Sequence, residues 1–428
     1  MKYELNTYSF YDINGMEAHL EDMAQKGWIL DSFKGGLWCY RKEAPQALHY
    51  TVSYFAKASA FEPEPSEGQQ TFQAFCDHSG WRLAASSAKL MVFINSQENP
   101  VPIFTDPHSE LEAITESCKW MIFPYWMLSV ILPFQLVSQF TFLRNNPLEF
   151  LSSNALMFTD LALILILISM VSELVRYYVW RKKAREAAEQ GEFVPTSRKP
   201  RSHTLVFWAL GIMILGILTS RDSGQMRFLF LYLAGFFLLF LMVNGVRVLL
   251  KKNKVAAGRN RMITLIVDVV LAVALTVFIT LDVFHMVRRP QDNPAPALTL
   301  SAITGEEAEG NISNVHSTHS FLMTRIRGWE YPNRGLDLSY EILDLHTPVL
   351  HDRSLEISLE EITALHHVHG CEQIDSAPWG ADAAWQFRTT DPEDTWILLD
   401  YGSRIADFII SWRPSPEEVS RIAEILNP

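Results

Sequence analysis

Five apolar stretches near the middle of this chain leave it few ways to fold. A helix needs roughly 20 apolar residues to cross the hydrocarbon core of a bilayer. Segments at about 120–142, 155–179, 204–220, 228–250 and 262–287 come close to that length, and the second holds the run LALILILISMV. A helix buried in a soluble protein is rarely apolar all round for so long, because one face usually meets water. The pattern predicts a membrane α-helical bundle of about five spans. The third segment is short, ~25 Å by helical rise, and is the one most open to tilt or displacement.

Charge divides the chain in the same places. Residues 1–117 carry 8 Lys and Arg against 16 Asp and Glu, 118–289 carry 20 against 9, and 290–428 carry 8 against 23. The positive excess therefore lies in the connections and ends of the apolar centre, as expected where Lys and Arg are retained on the cytoplasmic side. The second-to-third connection holds Arg181, Lys182, Lys183, Arg185, Arg198, Lys199 and Arg201. The fourth-to-fifth holds Lys251, Lys252, Lys254, Arg259 and Arg261. The alternate loops hold only Arg144, Arg221 and Arg227, and twelve against three predicts a cytoplasmic N-terminus and an extracytoplasmic C-terminus. Arg288 and Arg289, at the outer end of the last span, oppose that count. The expected division is a cytoplasmic domain at 1–117, a transmembrane region at 118–289 and an extracytoplasmic acidic domain at 290–428.

The lipid bilayer is thus the first partner the sequence implies. Both flanks are acidic, so neither supplies the basic surface that phosphate backbones require, and direct nucleic-acid binding is not expected. Cys39, Cys76, Cys118 and Cys371 lack CxxC spacing, so no disulfide framework follows. Residues 1–14 are polar, and no cleavable leader is expected there. Trp120, Tyr125 and Trp126 at the first entry, with Tyr177, Tyr178 and Trp180 at the second exit, fit interfacial aromatic belts.

Ionisable residues inside spans are costly unless paired or solvated. Asp160 and Glu173 fall in the second span, Asp268 and Asp282 in the fifth. Asp160 and Asp282 lie near the outer side, Glu173 and Asp268 nearer the inner. The functional reading is a polar seam that carries a proton or cation. The plainer one is a set of helix-end residues that snorkel or pair with Arg176 and Arg247.

In the N-terminal flank, Asn14 followed by Glu17 predicts a helix cap with its partner at the third position, the helix running to about Lys26 and stopping at Gly27. WILDSF, LWCYRK and LHYTVSYF alternate like strands. A second copy follows in outline, with a helix around residues 71–78, then Gly80-Trp81, WRLAAS and KLMVFIN. Trp28 and Trp81 are equivalent at a spacing of 53 residues, which predicts a duplicated, ferredoxin-like α+β domain with FEPEPSEG between the halves. The stretch YSFYDINGMEAHLEDMAQKGWIL, with GLWCYRK, HYTVSYF and SGWRLAASS…FTDP, resembles the family known as domain of unknown function 2812 over about residues 5–110. That resemblance implies a Gram-positive bacterial membrane protein, often encoded beside a PadR-type repressor, hence a regulatory or stress-response setting. It supplies no catalytic residues. Trp28, Trp38, Tyr40, Tyr50 and Tyr54 are candidates for a partner or ligand surface, but core packing is the first expectation for most of them.

Beyond a Pro-rich linker at 290–296, the C-terminal flank predicts a compact α+β domain. Residues 336–345 alternate like a strand, 359–368 suit a helix, and AAWQFRTT, TWILLDYG and ADFIISW suit a meander. Ser415-Pro416-Glu417-Glu418 caps a last helix. His366, His367, His369 and Cys371, with His346 and His351, match no defined zinc signature, so no metal or other cofactor is expected. Neither flank has a nucleophile motif or a Gly-rich phosphate loop. The functional expectation is a non-enzymatic membrane sensor or regulator joining an extracytoplasmic domain, ligand unknown, to a cytoplasmic regulatory protein. The alternative is a small transporter or transporter subunit using the intramembrane carboxylates.

Overall fold

The computed structural model describes all residues except 35, 88, 197–203, 220–222, 289–296, 306–311, 332–335 and 428. For 120, 223–230, 232, 233, 282–288 and 312 it describes the backbone alone. The contacts divide the chain into two compact units. The first is Met1–Leu136, Ala162–Gly211 and Phe230–Leu281; the second is Val137–Leu161, Ile212–Leu229 and Asp282–Pro428.

The N-terminal elements run β1 (Lys2–Leu5), α1 (Ile13–Gln25), β2 (Trp28–Lys34), β3 (Leu37–Lys42), then β4 (His49–Tyr54), α2 (Glu67–His78), β5 (Arg82–Ser87) and β6 (Leu90–Asn95). The 53-residue repeat is visible residue by residue. Leu30 pairs with Tyr40 and Leu83 with Phe93; Ser32 pairs with Cys39 and Ala85 with Val92; a bulge separates the two pairs in each half. Both helices stop against a glycine in the left-handed region, Gly27 at φ +79 and Gly80 at φ +84. A side chain at Gly27 would also put its Cβ 2.6 Å from the Glu43 carbonyl.

The ferredoxin-like expectation is not met. That fold needs one four-stranded sheet, whereas these strands form two three-stranded sheets, β1-β3-β2 and β4-β6-β5. In each half the last strand takes the centre and bonds to both strands of its own half. The α1 cap is also corrected: it is Asp12, whose carboxylate accepts from the Gly15 amide at 3.0 Å, rather than Asn14.

The central helices are α3 (Pro107–Asn145), α4 (Pro147–Leu151), α5 (Asn154–Ala188), α6 (Thr204–Thr219), α7 (Ser223–Lys252) and α8 (Ala257–Arg288). Among the described residues, four stretches are long and apolar enough to cross a membrane: Met121–Asn145, Asn154–Ala188, Ala234–Lys252 and Ala257–Leu281. The remaining expected span, the third, is α6, apolar but only 16 residues long. These helices leave large apolar side chains uncovered by protein, including Phe134 at 79 % exposure, Val130 at 68 % and Phe237 at 64 %. Surface of that size and kind calls for lipid or a partner, and its placement on long helices is that of a multi-pass membrane protein.

The C-terminal elements are α9 (Leu300–Thr304), β7 (Ile312–His319), β8 (Met323–Tyr331), β9 (Leu338–Leu345), α10 (His351–Thr363), β10 (Val368–Ile374), β11 (Ala383–Thr389), β12 (Thr395–Asp400), β13 (Arg404–Ile410) and α11 (Pro416–Leu426). Seven strands form one antiparallel sheet, β10-β11-β12-β13-β9-β8-β7. One face packs Leu338, Tyr340, Ile397 and Phe408 against Ile303, Ile422 and Leu426. The other packs Leu343, Leu398 and Ile405 against Ile357 and Ile362 of α10 and Leu148 of α4. The meander and the Ser415 capping box stand as expected. The helix expected at 359–368 instead occupies His351–Thr363, burying Ser354, Ile357, Ser358 and Ile362 at helical spacing. Val368 begins a strand because it and its neighbours pair with β11.

Candidate functional site

In the first unit, the N-terminal core continues into the polar ends of α3 and α5. Phe10 and Tyr11, in the turn before α1, pack on Tyr177 with ring centroids 5.6 and 5.4 Å away, and Tyr11 lies 5.3 Å from Trp180. Ile114, Cys118 and Ile122 of α3 with Leu174 and Tyr177 of α5 belong to the same buried cluster as Leu20, Leu30 and Tyr40. Burial pushes the Cys118 thiol up to about 12, so it is an inert apolar filler. The expected aromatic belt is therefore split. Tyr177 is fully buried in protein, while Trp126 and Tyr178 are half exposed and joined by an indole N–H to hydroxyl bond of 3.1 Å.

Beside this cluster Asn14 clasps the connector that follows α5. Its amide N–H donates to Thr196 Oγ1 at 3.0 Å, and the Thr196 amide donates back to Asn14 Oδ1 at 2.8 Å. Asn14 Nδ2 also donates to Glu17 Oε2 at 3.3 Å, while Glu17 Oε1 accepts from the Val52 amide at 2.9 Å and from Thr51 Oγ1 at 3.2 Å. These groups line a cavity of about 320 Å³, with Glu110, Ile114, Trp180 and Phe193 on its other walls. Burial pushes the Glu17 carboxyl up to about 7, against the three hydrogen bonds, which favour its charged form; nearby Glu110 adds to the rise. Burial also raises Glu110 and Asp12. The junction therefore holds a carboxyl poised to titrate near neutrality, one hydrogen bond from the clasp.

A second clasp in this unit joins the α7–α8 connector to the loop between the two halves. Buried Asn260 donates to the Phe61 carbonyl at 3.1 Å, and Lys254 pairs with Glu64 at 2.8 Å. The Lys–Glu pair is exposed and contributes little; the asparagine is the structural tie.

The second unit has its own clasp. The α3–α5 connector, built as the short helix α4, inserts Leu148 into the sheet core. Glu149 Oε2 accepts from Arg325 Nη1 at 3.2 Å and from Arg327 Nη2 at 2.5 Å, and Arg325 forks onto Glu341 at 2.8 and 2.9 Å. Thr318 donates to Ser152 Oγ and Ser320 to the Leu151 carbonyl, both at 2.7 Å. Asn154 accepts from the Phe321 amide at 3.0 Å and donates to Thr219 Oγ1 at the end of α6 at 3.1 Å.

The intramembrane carboxylates are not gathered into one site. Glu173 is buried and paired with Arg176 at 2.9 Å, with Oε1 left without a partner. Asp160, half-buried on the same helix, also has a buried oxygen without a partner. Asp268 is half-buried on α8, and among the described residues no hydrogen bond or ion pair joins it to Asp160 or Glu173. The Asp282 side chain lies outside the described residues. Among the described residues Arg247 bonds to Asn244 at 2.8 Å.

The aromatic set lies mostly in the core, the role that the core-packing reading gives it, and not on the candidate partner surface. Trp38, Tyr40, Tyr50 and Tyr54 are buried, Tyr40 bonding His19 at 3.3 Å and Tyr54 the Phe10 carbonyl. Only Trp28 is half exposed, with Lys42 Nζ 5.8 Å from its ring. The histidines are scattered too. His351 bridges Asp352 and Asp400 at 2.9 and 2.8 Å, His367 stacks on Trp396, and His346 lies against His319. Among the described residues no three His, Cys, Asp or Glu side chains converge on a point. Glu149, Asn154, Thr196 and Asn260 were not singled out from sequence. Each is one polar residue in a connector or at the start of a helix, and its only signal is a partner far away in the chain.

The match to known families coincides with the first unit's core. Residues 12–126 match the family described as protein of unknown function (DUF2812). The N-terminal region is a DUF2812 region. It starts at the Asp12 cap and ends at Trp126 inside α3, so the DUF2812 boundary takes in the helix surface of Ile114, Cys118 and Ile122 that completes the core. The match lies further along the chain than the 5–110 expected. No curated protein and no solved structure matches the chain.

Proposed function

We propose that this protein is a non-enzymatic membrane sensor or regulator, crossing the bilayer about five times with its DUF2812 region in the cytoplasm and its C-terminal domain outside. On this reading an envelope ligand is met by the C-terminal sheet, and a cytoplasmic regulatory protein by the DUF2812 region. The observation that carries it is the set of clasps. Asn14 and Asn260 tie the α5–α6 and α7–α8 connectors to the N-terminal domain, while Glu149 and Asn154 tie the α3–α5 connector and the end of α6 to the C-terminal sheet. Alternate connectors bound to alternate domains are what five crossings require, α6 being the short third one. The basic residues cluster in the connectors that hold the N-terminal domain, in keeping with its cytoplasmic side. A clasp of hydrogen bonds also transmits a helix shift, because it resists sliding.

The test is in-cell crosslinking from exposed Phe75 of α2, in the full chain. A specific cytoplasmic protein should be captured, with a yield that changes when Glu149→Ala loosens the clasp of the second unit. Capture of nothing specific, or a yield indifferent to that change, contradicts the proposal. A second reading, a small transporter or transporter subunit working through Asp160, Glu173, Asp268 and Asp282, draws on the two buried carboxylate oxygens left without partners. Solute or proton flux in proteoliposomes that Asp160→Asn and Glu173→Gln abolish would favour it.

A further inference from the structure

One strip of the C-terminal sheet carries four ionisable side chains in a row. The cross-strand register sets His316 opposite Arg327, Arg327 opposite Glu341 and Glu341 opposite Asp407, so the four side chains form one row over β7, β8, β9 and β13. The next pairs along this face, Arg325 with Leu343 and Leu343 with Ile405, run under α4 and α10. On the other side Trp329 and Trp396 flank the row, and the groove between encloses about 490 Å³. That volume is in the range that holds small ligands.

The row is polar in a directed sense. Its β7–β8 end is basic, with His316 and with Arg327, which gives one nitrogen to Glu149 and keeps 40 % of its side chain exposed. Its β9–β13 end is acidic, and there the carboxylates outnumber their cations. Arg325 is occupied by Glu341 and Glu149, and the described bond to the Asp407 carboxyl comes from the uncharged indole of Trp396 at 3.2 Å. We propose that this groove binds a short zwitterionic peptide, its ammonium group on Asp407 and Glu341 and its carboxylate on Arg327 and His316, with its side chains against Trp329 and Trp396.

The dimensions agree. Adjacent strands lie about 4.8 Å apart, so Arg327 and Asp407, two strands apart, are separated by roughly 10 Å. An extended tripeptide spans about the same length. Burial and then Glu341 push the Asp407 carboxyl up to about 8, Glu361 adding to the rise, against Trp396 and Arg325, which lower it. An arriving ammonium would supply the cation that end lacks. The site stands on the sheet alone and needs no particular membrane orientation, so it goes beyond the sensor reading.

The test is calorimetric titration of the full chain in detergent micelles with tri-alanine, N-acetyl-tri-alanine, tri-alanine amide and spermidine. Tri-alanine should bind saturably, and blocking either end should weaken it at least tenfold. Asp407→Asn should cost a similar factor with the near-ultraviolet dichroism unchanged; should that variant fail to fold, the ligand series on the parent protein decides. Absence of saturable binding at millimolar tri-alanine, equal binding of the end-blocked forms, or spermidine binding as tightly as tri-alanine each overturns the proposal.

Discussion

The two sheet-bearing regions differ in where their cores end. The DUF2812 region has two small sheets of three strands, and its principal hydrophobic cluster is completed by Ile114, Cys118 and Ile122 of α3 and by Leu174 and Tyr177 of α5. The C-terminal domain has one sheet of seven strands with apolar packing on both faces, and it takes one buried core residue, Leu148, from the α3–α5 connector. The lesson is that a core can be completed by helices outside its own sheets. Three strands with a hydrophobic face meet the minimum for independent stability, but here the cluster under two such sheets is closed only by residues of α3 and α5.

The largest expected effect breaks this comparison outright. Residues 1–106 expressed alone should give no cooperative thermal transition, whereas 297–428 alone should unfold in one sharp step. A cooperative 1–106 fragment would erase the contrast. A subtler version uses point changes in the whole chain. Tyr177→Ala should cost the DUF2812 region about 3–5 kcal/mol, the usual loss for a fully buried aromatic ring. Leu148→Ala should cost the C-terminal sheet about 2–5 kcal/mol. Hydrogen exchange of the β3 amides against those of β12 measures both.

Acid–base behaviour sharpens the contrast at smaller scale. Glu17 has its carboxyl raised from an ordinary 4.5 to about 7 in the folded state. The folded form therefore holds its proton more tightly than the unfolded form, and stability of the DUF2812 region falls as pH climbs from about 4.5 through 7. The loss should be about 1–3 kcal/mol, and Glu17→Gln should flatten it, read as the pH dependence of β4 amide exchange. In the C-terminal domain His351 is raised above its ordinary 6.5 by hydrogen bonds to Asp400 and Asp352. Its contribution is whole below that value and fades as pH rises through the folded one. About 0.5–1 kcal/mol should be lost, and His351→Gln should remove the slope from the domain's melting curves.

Features set by local pattern were legible in the sequence, and features set by distant partners were not. The 53-residue repeat, the stops at Gly27 and Gly80 and the Ser415 capping box are written in neighbouring residues. The arrangement of the six N-terminal strands as two sheets depends on which backbone groups meet, and the alternation of LWCYRK or KLMVFIN says nothing of that. The aromatic run from Trp38 to Tyr54 suited either a surface or a core, and only packing against Tyr8, His19 and Phe33 decides it. The cap moved from Asn14 to Asp12 because Asn14 is engaged by Thr196, 182 residues away. The groove is not legible in the sequence, because His316, Arg327, Glu341 and Asp407 come from four strands and are adjacent only through register.

On the proposed reading the helices thread the bilayer and leave the DUF2812 region and the C-terminal domain in different compartments. Single cysteines at exposed Gln70 and exposed Glu393, in a chain cleared of its own four, can be labelled in intact cells with an impermeant maleimide. The account expects labelling at 393 and none at 70 until the cells are opened. Equal labelling of both sites in intact cells, or of neither, would contradict it.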